Sequence, residues 1–236
     1  MKNQTPGRLK TAAIFTATII IGYILFILPN LFFGITKING GFTGVNLLIT
    51  GLFQFVAVCL LIYFSLKLLK KDFQYIGLSN NNWQRDGLLG LTAGLAWAAL
   101  QFGWLIPSTG GAARADIAQM IEMMDGTLSS LLFYIGLGVI GGGITEEIFN
   151  RGYFITVLKD MFSNPRLGLW VASILSILLF ALGHLPTNAV EWFDILVPTI
   201  IYTVLFLFTK RLTAPIVAHG IYNMSAVLLT YYLYFS

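Results

Sequence analysis

The chain has 236 residues, of which 57% are hydrophobic and only 10% charged. A soluble globular domain carries about a quarter charged residues, and the apolar residues here run in long blocks instead of alternating with polar ones, so a soluble protein is excluded. The net charge of +4 would suit an anionic partner, but the placement of the basic residues assigns them to membrane surfaces and not to nucleic acid.

Apolar blocks of about 18 or more residues read as membrane spans. In chain order they cover 12–33, 45–69, 87–106, 128–159, 168–185, 190–209 and 213–234. The first follows Lys2, Arg8 and Lys10 in the manner of a signal peptide. It exceeds the usual apolar core of about 7–15 residues and lacks a small-x-small cleavage site, so it reads as a retained span. The second contains Cys59, the only cysteine, which excludes an intramolecular disulfide. Between the third and fourth blocks, residues 112–125 show helical spacing of apolar residues, as in a helix lying along the outer surface or an ordinary loop helix. The fourth block is too long for a simple crossing and reads as one element or two. Lys210 and Arg211 separate the last two blocks.

With the N-terminus inside, Lys2, Arg8, Lys10, Lys67, Lys70, Lys71, Arg85, Lys159, Arg166, Lys210 and Arg211 fall on the cytoplasmic side. Only Lys37 and Arg114 fall outside, and Arg151 lies within a span. Positive residues favour the cytoplasmic face, and a wrong span count would scramble this split. The expectation is an all-α, polytopic transmembrane bundle of about seven spans, N-in, folded as a single domain over 1–236, with its basic rim in contact with anionic lipid.

An ionisable side chain at bilayer depth costs about 2.5–3.5 kcal/mol on insertion scales, so each one needs a reason. Glu146, Glu147 and Arg151 lie in the fourth span, His184 near the end of the fifth, and His219 and Asn223 in the seventh. Glu147 and Arg151 are four apart, share a helical face and can pair. Glu146 is turned about 100° away and is left free. His219 and Asn223 are also four apart, as are Phe180 and His184. Each feature alone has a plain structural explanation: an ion pair, a core histidine, an asparagine that joins helices. Their confinement to three spans favours a polar pocket. Glycines 136, 138, 141, 142 and 143 just before the two glutamates suit close helix approach or a cavity wall.

The strings EEIFNR, FALGH and HGIYN take the reading further. Glu146, Glu147 and Arg151, then Phe180 and His184, then His219 and Asn223 resemble the EExxxR, FxxxH and HxxxN pattern of the CPBP family, the CAAX protease and bacteriocin-processing (Abi) proteins. The resemblance covers 128–225, which would be the catalytic core. It implies an intramembrane endopeptidase. Carried over residue by residue, Glu146 is the general base that activates water, Glu147 tunes or positions it and Arg151 holds the carboxylates. His184 helps bind the water, while His219 and Asn223 orient the substrate carbonyl or stabilise the oxyanion. Desolvation makes a carboxylate a stronger base and an adjacent arginine opposes this, so two neighbouring carboxylates can separate in role. Glu146, His184 and His219 also make a candidate zinc ligand set, though the chain lacks HExxH. A glutamate-activated water is preferred, with zinc assistance as the alternative.

The implied substrates are peptides or membrane proteins: prenylated CAAX-type chains, signalling or leader peptides, or bacteriocin-related peptides in self-immunity. The implied location is a bacterial plasma membrane. A non-catalytic scaffold or immunity protein and a small proton-coupled transporter are the competing readings. One tension remains at this level. With a rise of about 1.5 Å per residue, Glu146 lies roughly 20 Å and His184 roughly 25 Å from the cytoplasmic ends of their spans, but His219 only about 9 Å. A dip of 210–215 into the bundle, with Pro215 at a re-entrant start, would reconcile the depths.

Overall fold

In hydrocarbon no water is available to backbone amides, so a long apolar block satisfies them internally by forming a helix. The computed structural model describes residues 7–235, and Lys2 lies outside them. In chain order come α1 (Arg8–Thr36), α2 (Val45–Leu69), α3 (Trp83–Ser108), a short α4 (Ala115–Met123), α5 (Leu128–Lys159), α6 (Pro165–Gly183), α7 (Ala189–Thr209) and α8 (Thr213–Phe235). All but α4 are long and apolar enough to cross a membrane, and no strand occurs among the described residues. The chain is thus a seven-span, all-helical, multi-pass membrane protein, and every span expected from the sequence falls on one of these helices.

The long fourth block is one continuous helix. Its hydrogen bonding follows the wider i→i+5 pattern across Leu137–Glu146 and Ile148–Ile155. Wider turns place more residues in a given length of helix, so the 32 residues of α5 need not overrun the bilayer. Such π turns are rare and concentrate at functional sites.

Both ends of the bundle are tied by polar contacts. At the end holding Arg8, Asp86 is fully buried and takes two bonds from Arg211, at 2.6 and 2.9 Å. Those bonds raise the pKa of the guanidinium. Tyr75 donates to Asp160 at 2.7 Å; burial first, then this bond, pushes its phenol up. Lys67, Lys70, Lys71, Arg85, Lys159, Arg166, Lys210 and Arg211 all belong to this end, while Lys37 and Arg114 belong to the other.

At the opposite end Arg114 bonds Asp116, Asp194 and Thr109, and Gln101 donates to the other Asp194 oxygen at 2.9 Å. Burial alone would lower the Arg114 pKa, but its two carboxylate partners raise it. Helix α4 is accordingly pinned to α3 and α7. Beside it Met124 packs on Leu131 and Val227, with Met120 and Phe235 alongside. The helical spacing in 112–125 therefore marks a helix seated on the end of the bundle.

The depth mismatch is resolved at Leu212. This residue is fully buried, its N–H bonds the Gly77 carbonyl at 2.9 Å, and its side chain abuts Gly152. Gly152 is five residues past Glu147, so the chain ahead of α8 already sits well inside the bundle. The turn carrying Ile76 and Gly77 dips with it, and His219 reaches the level of the two glutamates.

Candidate active site

In lipid, helices gain little from burying apolar surface against each other, and association relies on close packing and hydrogen bonds. Gly143 and Gly220 permit a close approach of the α5 and α8 backbones. A Cβ on Gly143 would stand 2.7 Å from the Gly220 Cα. This contact sets His219, one residue before Gly220, against the two glutamates three and four residues beyond Gly143.

Glu147 is fully buried and organises the centre. Its Oε1 accepts from Arg151 Nη1 at 2.9 Å and from His219 Nδ1 at 2.8 Å. A carboxylate can only accept, so Nδ1 carries the imidazole proton. The ring is held by a carboxylate on one nitrogen, and its other nitrogen is free for chemistry. That other nitrogen, Nε2, faces Glu146 Oε2 at 3.9 Å, too far for a direct bond and close enough for a shared water. Glu146 is the less enclosed glutamate, with its side chain 23% exposed. Adjacent in sequence, the two carboxylates thus stand in different surroundings.

Further side chains fix this arrangement. The Tyr202 ring stacks on His219 at 4.7 Å and 17°. Arg151 is fully buried, its guanidinium 4.4 Å from the Phe180 ring centre, and its Nη2 donates to the Thr199 carbonyl at 3.4 Å. Asn223 donates one amide hydrogen to the Gly138 carbonyl at 2.8 Å, leaving the second for another acceptor. Gly142 keeps room open in front of Asn223 and His219: a Cβ there would lie 2.5 Å from Asn223 Nδ2 and 3.5 Å from His219 Nε2.

Of the six residues singled out by spacing, Glu147, Arg151 and His219 are joined by hydrogen bonds. Glu146 faces His219, and Asn223 shares with it the space beside Gly142. Among the described residues, Arg151 forms its ion pair with Glu147 and not with Glu146. His184 caps the end of α6 and is exposed. Its Nδ1 bonds the Phe180 carbonyl at 2.9 Å and its ring lies 4.5 Å from the Phe180 ring, so Phe180 links it to the centre. No group of three or more His, Cys, Asp or Glu side chains among the described residues is placed to hold a metal. Glu146, His184 and His219 are not gathered around one point and do not fit a zinc site.

Residues 128–225 match the family model of the Rce1-like proteins, the type II CAAX prenyl endopeptidases. That match agrees with the CPBP family. No curated protein and no solved structure matches the chain. The CPBP segment holds all six residues and takes in α5, α6, α7 and most of α8. Its family is one of intramembrane proteases.

Within the CPBP segment, sequence reasoning passed over Tyr202 and Thr199. A signal for them exists: Thr199 and Thr203 are four apart on α7, and Thr203 bonds the Thr199 carbonyl at 2.8 Å. Tyr202 lies between them along the chain, buried among the same groups.

Proposed function

We propose that the protein is an intramembrane endopeptidase in which Glu146 activates water for attack on a peptide bond. The supporting observation is the chain Arg151–Glu147–His219, which leaves His219 Nε2 facing Glu146 across 3.9 Å. A water between them gives one hydrogen to Glu146 and the other to Nε2, keeping a lone pair for the carbonyl carbon. As the C–O bond forms, Glu146 takes the proton of the water. The tetrahedral oxyanion accepts from the second amide hydrogen of Asn223. When the C–N bond breaks, Glu146 returns the proton to the leaving amine. Glu147 and Arg151 act through His219, fixing its tautomer and orientation. His184, exposed at the end of α6, is suited to the entering chain.

The family match favours a membrane-anchored substrate, such as a peptide with a prenylated cysteine three residues before its C-terminal residue. The basic rim at the Arg8 end supports an N-in orientation in a plasma membrane, where that rim faces anionic lipid. Bacterial peptide maturation or bacteriocin self-immunity would use the same chemistry on a different chain.

The test uses the full chain in lipid nanodiscs with an internally quenched, farnesylated CAAX peptide and mass spectrometry of the products. Wild type should release the C-terminal tripeptide, and Glu146→Gln, which keeps shape and removes the base, should lose at least about 10²-fold in kcat. An E146Q variant that cleaves at the wild-type rate overturns the reading. A wild-type protein that never yields a product, alongside E146Q cells that keep the wild-type phenotype, would support a scaffold.

A further inference from the structure

We infer that Tyr23, on α1 and outside the segment that matches the family, donates its phenolic hydrogen to the oxyanion formed at this centre. The inference rests on the Glu146-activated water described above.

Helix α1 has the smallest buried share of the seven spans. Yet the Tyr23 hydroxyl is buried, and its oxygen has no hydrogen-bond partner among the described residues. A buried hydroxyl without a partner is costly, and phenylalanine would fill the same space without that cost. The ring itself is well held. It meets Phe149 edge-on at 5.6 Å and 87°, and a Cβ on Gly183 would stand 3.7 Å from its Cε1. Phe149 is three residues after Glu146, and Gly183 immediately precedes His184. The phenol is clamped between the helix that bears the base and the helix end that bears His184. It lies within electrostatic range of Glu146 and Arg151.

A donor that is fixed in place and unpartnered at rest fits a group whose acceptor exists only while the reaction runs. Oxyanion-hole donors act in this way: they are oriented beforehand and strengthen as charge develops. In the step concerned, the water oxygen bonds the carbonyl carbon, Glu146 takes the proton, and the carbonyl oxygen becomes an oxyanion. Tyr23 holds that oxygen by a hydrogen bond and keeps its own proton throughout. Asn223, on α8, supplies the second donor. The first span then contributes to the chemistry as well as to the shell of the bundle.

The experiment compares wild type, Glu146→Gln and Tyr23→Phe in nanodiscs with the farnesylated quenched peptide and a phosphonamidate analogue of it, which mimics the tetrahedral anion. Tyr23→Phe keeps the ring and its packing. The expected result is a fall of about 10²–10³-fold in kcat with KM little changed, and a matching loss of affinity for the phosphonamidate. A wild-type kcat in Tyr23→Phe, or a change confined to KM, overturns the assignment while E146Q remains inactive. An active E146Q overturns the glutamate mechanism itself, and the Tyr23 role falls with it. Trifluorotyrosine incorporated at position 23 provides a second measurement that leaves ring and hydroxyl in place. Its acidified phenol should lose activity at a lower alkaline pH than wild type, because a phenolate cannot donate. An unchanged pH profile overturns the inference.

Discussion

Replacing Glu147 by Gln separates the structural from the chemical role of the buried pair. The substitution preserves volume and removes one charge from a side chain with no solvent exposure. Arg151, equally buried, then loses the carboxylate held at 2.9 Å. Breaking a buried pair from one side costs about 3–5 kcal/mol, because the remaining charge is uncompensated. Adding Arg151→Met removes that charge, and the double variant should regain most of the lost stability. Activity should not return. His219 Nδ1 would still lack the carboxylate at 2.8 Å that sets its tautomer. Amidating a carboxylate that orients a histidine costs about 10⁴-fold in kcat in the serine-protease triad. The assay is SDS-induced unfolding in mixed micelles for stability and quenched-peptide hydrolysis for kcat. An E147Q single variant within about 0.5 kcal/mol of wild type would refute the buried-pair account. A double variant with wild-type kcat would refute the role assigned to the Glu147–His219 bond.

Gly142→Ala should leave the protein folded but reduce kcat by roughly 10²-fold, the effect of about 1 Å of misplacement, because the new Cβ would lie 2.5 Å from Asn223 Nδ2. Kinetics beside an unfolding curve would check this, and an unchanged kcat would show that Asn223 has room to give way. Gly143→Ala should instead lower stability by about 1–3 kcal/mol, since its Cβ meets the backbone of Gly220 at 2.7 Å; unfolding midpoints decide. Arg114→Gln leaves the partly buried Asp194 without its cation and should free α4, read as faster proteolysis after residue 110 in nanodiscs. Asp125, in the loop before α5, is held down to about 2 from an ordinary 3.8, chiefly by the Thr127 hydroxyl and then by Ser130. A depressed carboxyl stabilises the fold above its unfolded value and loses that contribution as pH falls through the folded one. The difference in Tm between wild type and Asp125→Asn should be constant above about pH 5, shrink between 3.8 and about 2, and vanish below; a difference independent of pH over that range would contradict it.

The amino-acid sequence by itself determined the seven spans, because an apolar block in lipid has only the helix available to it. It also determined the Glu147–Arg151 pair, because residues four apart on a helix face each other whatever surrounds them. The EExxxR, FxxxH and HxxxN strings gave the family for 128–225. What lay beyond it depends on how far each helix slides along its neighbours, a quantity no local pattern encodes. Leu212 had to enter the bundle beside Gly152 before His219 could reach Glu147, 72 positions away in the chain. The same packing left His184 at an exposed helix end, although its spacing from Phe180 matched that of His219 and Asn223. It also brought Tyr23 from an apolar first span to the neighbourhood of Glu146, where nothing in its local sequence distinguishes it from a lipid-facing aromatic. Periodicity fixes which face of a helix a residue occupies. Only the packed bundle fixes what that face meets, since the contacts that choose the vertical register are made between helices far apart in the chain.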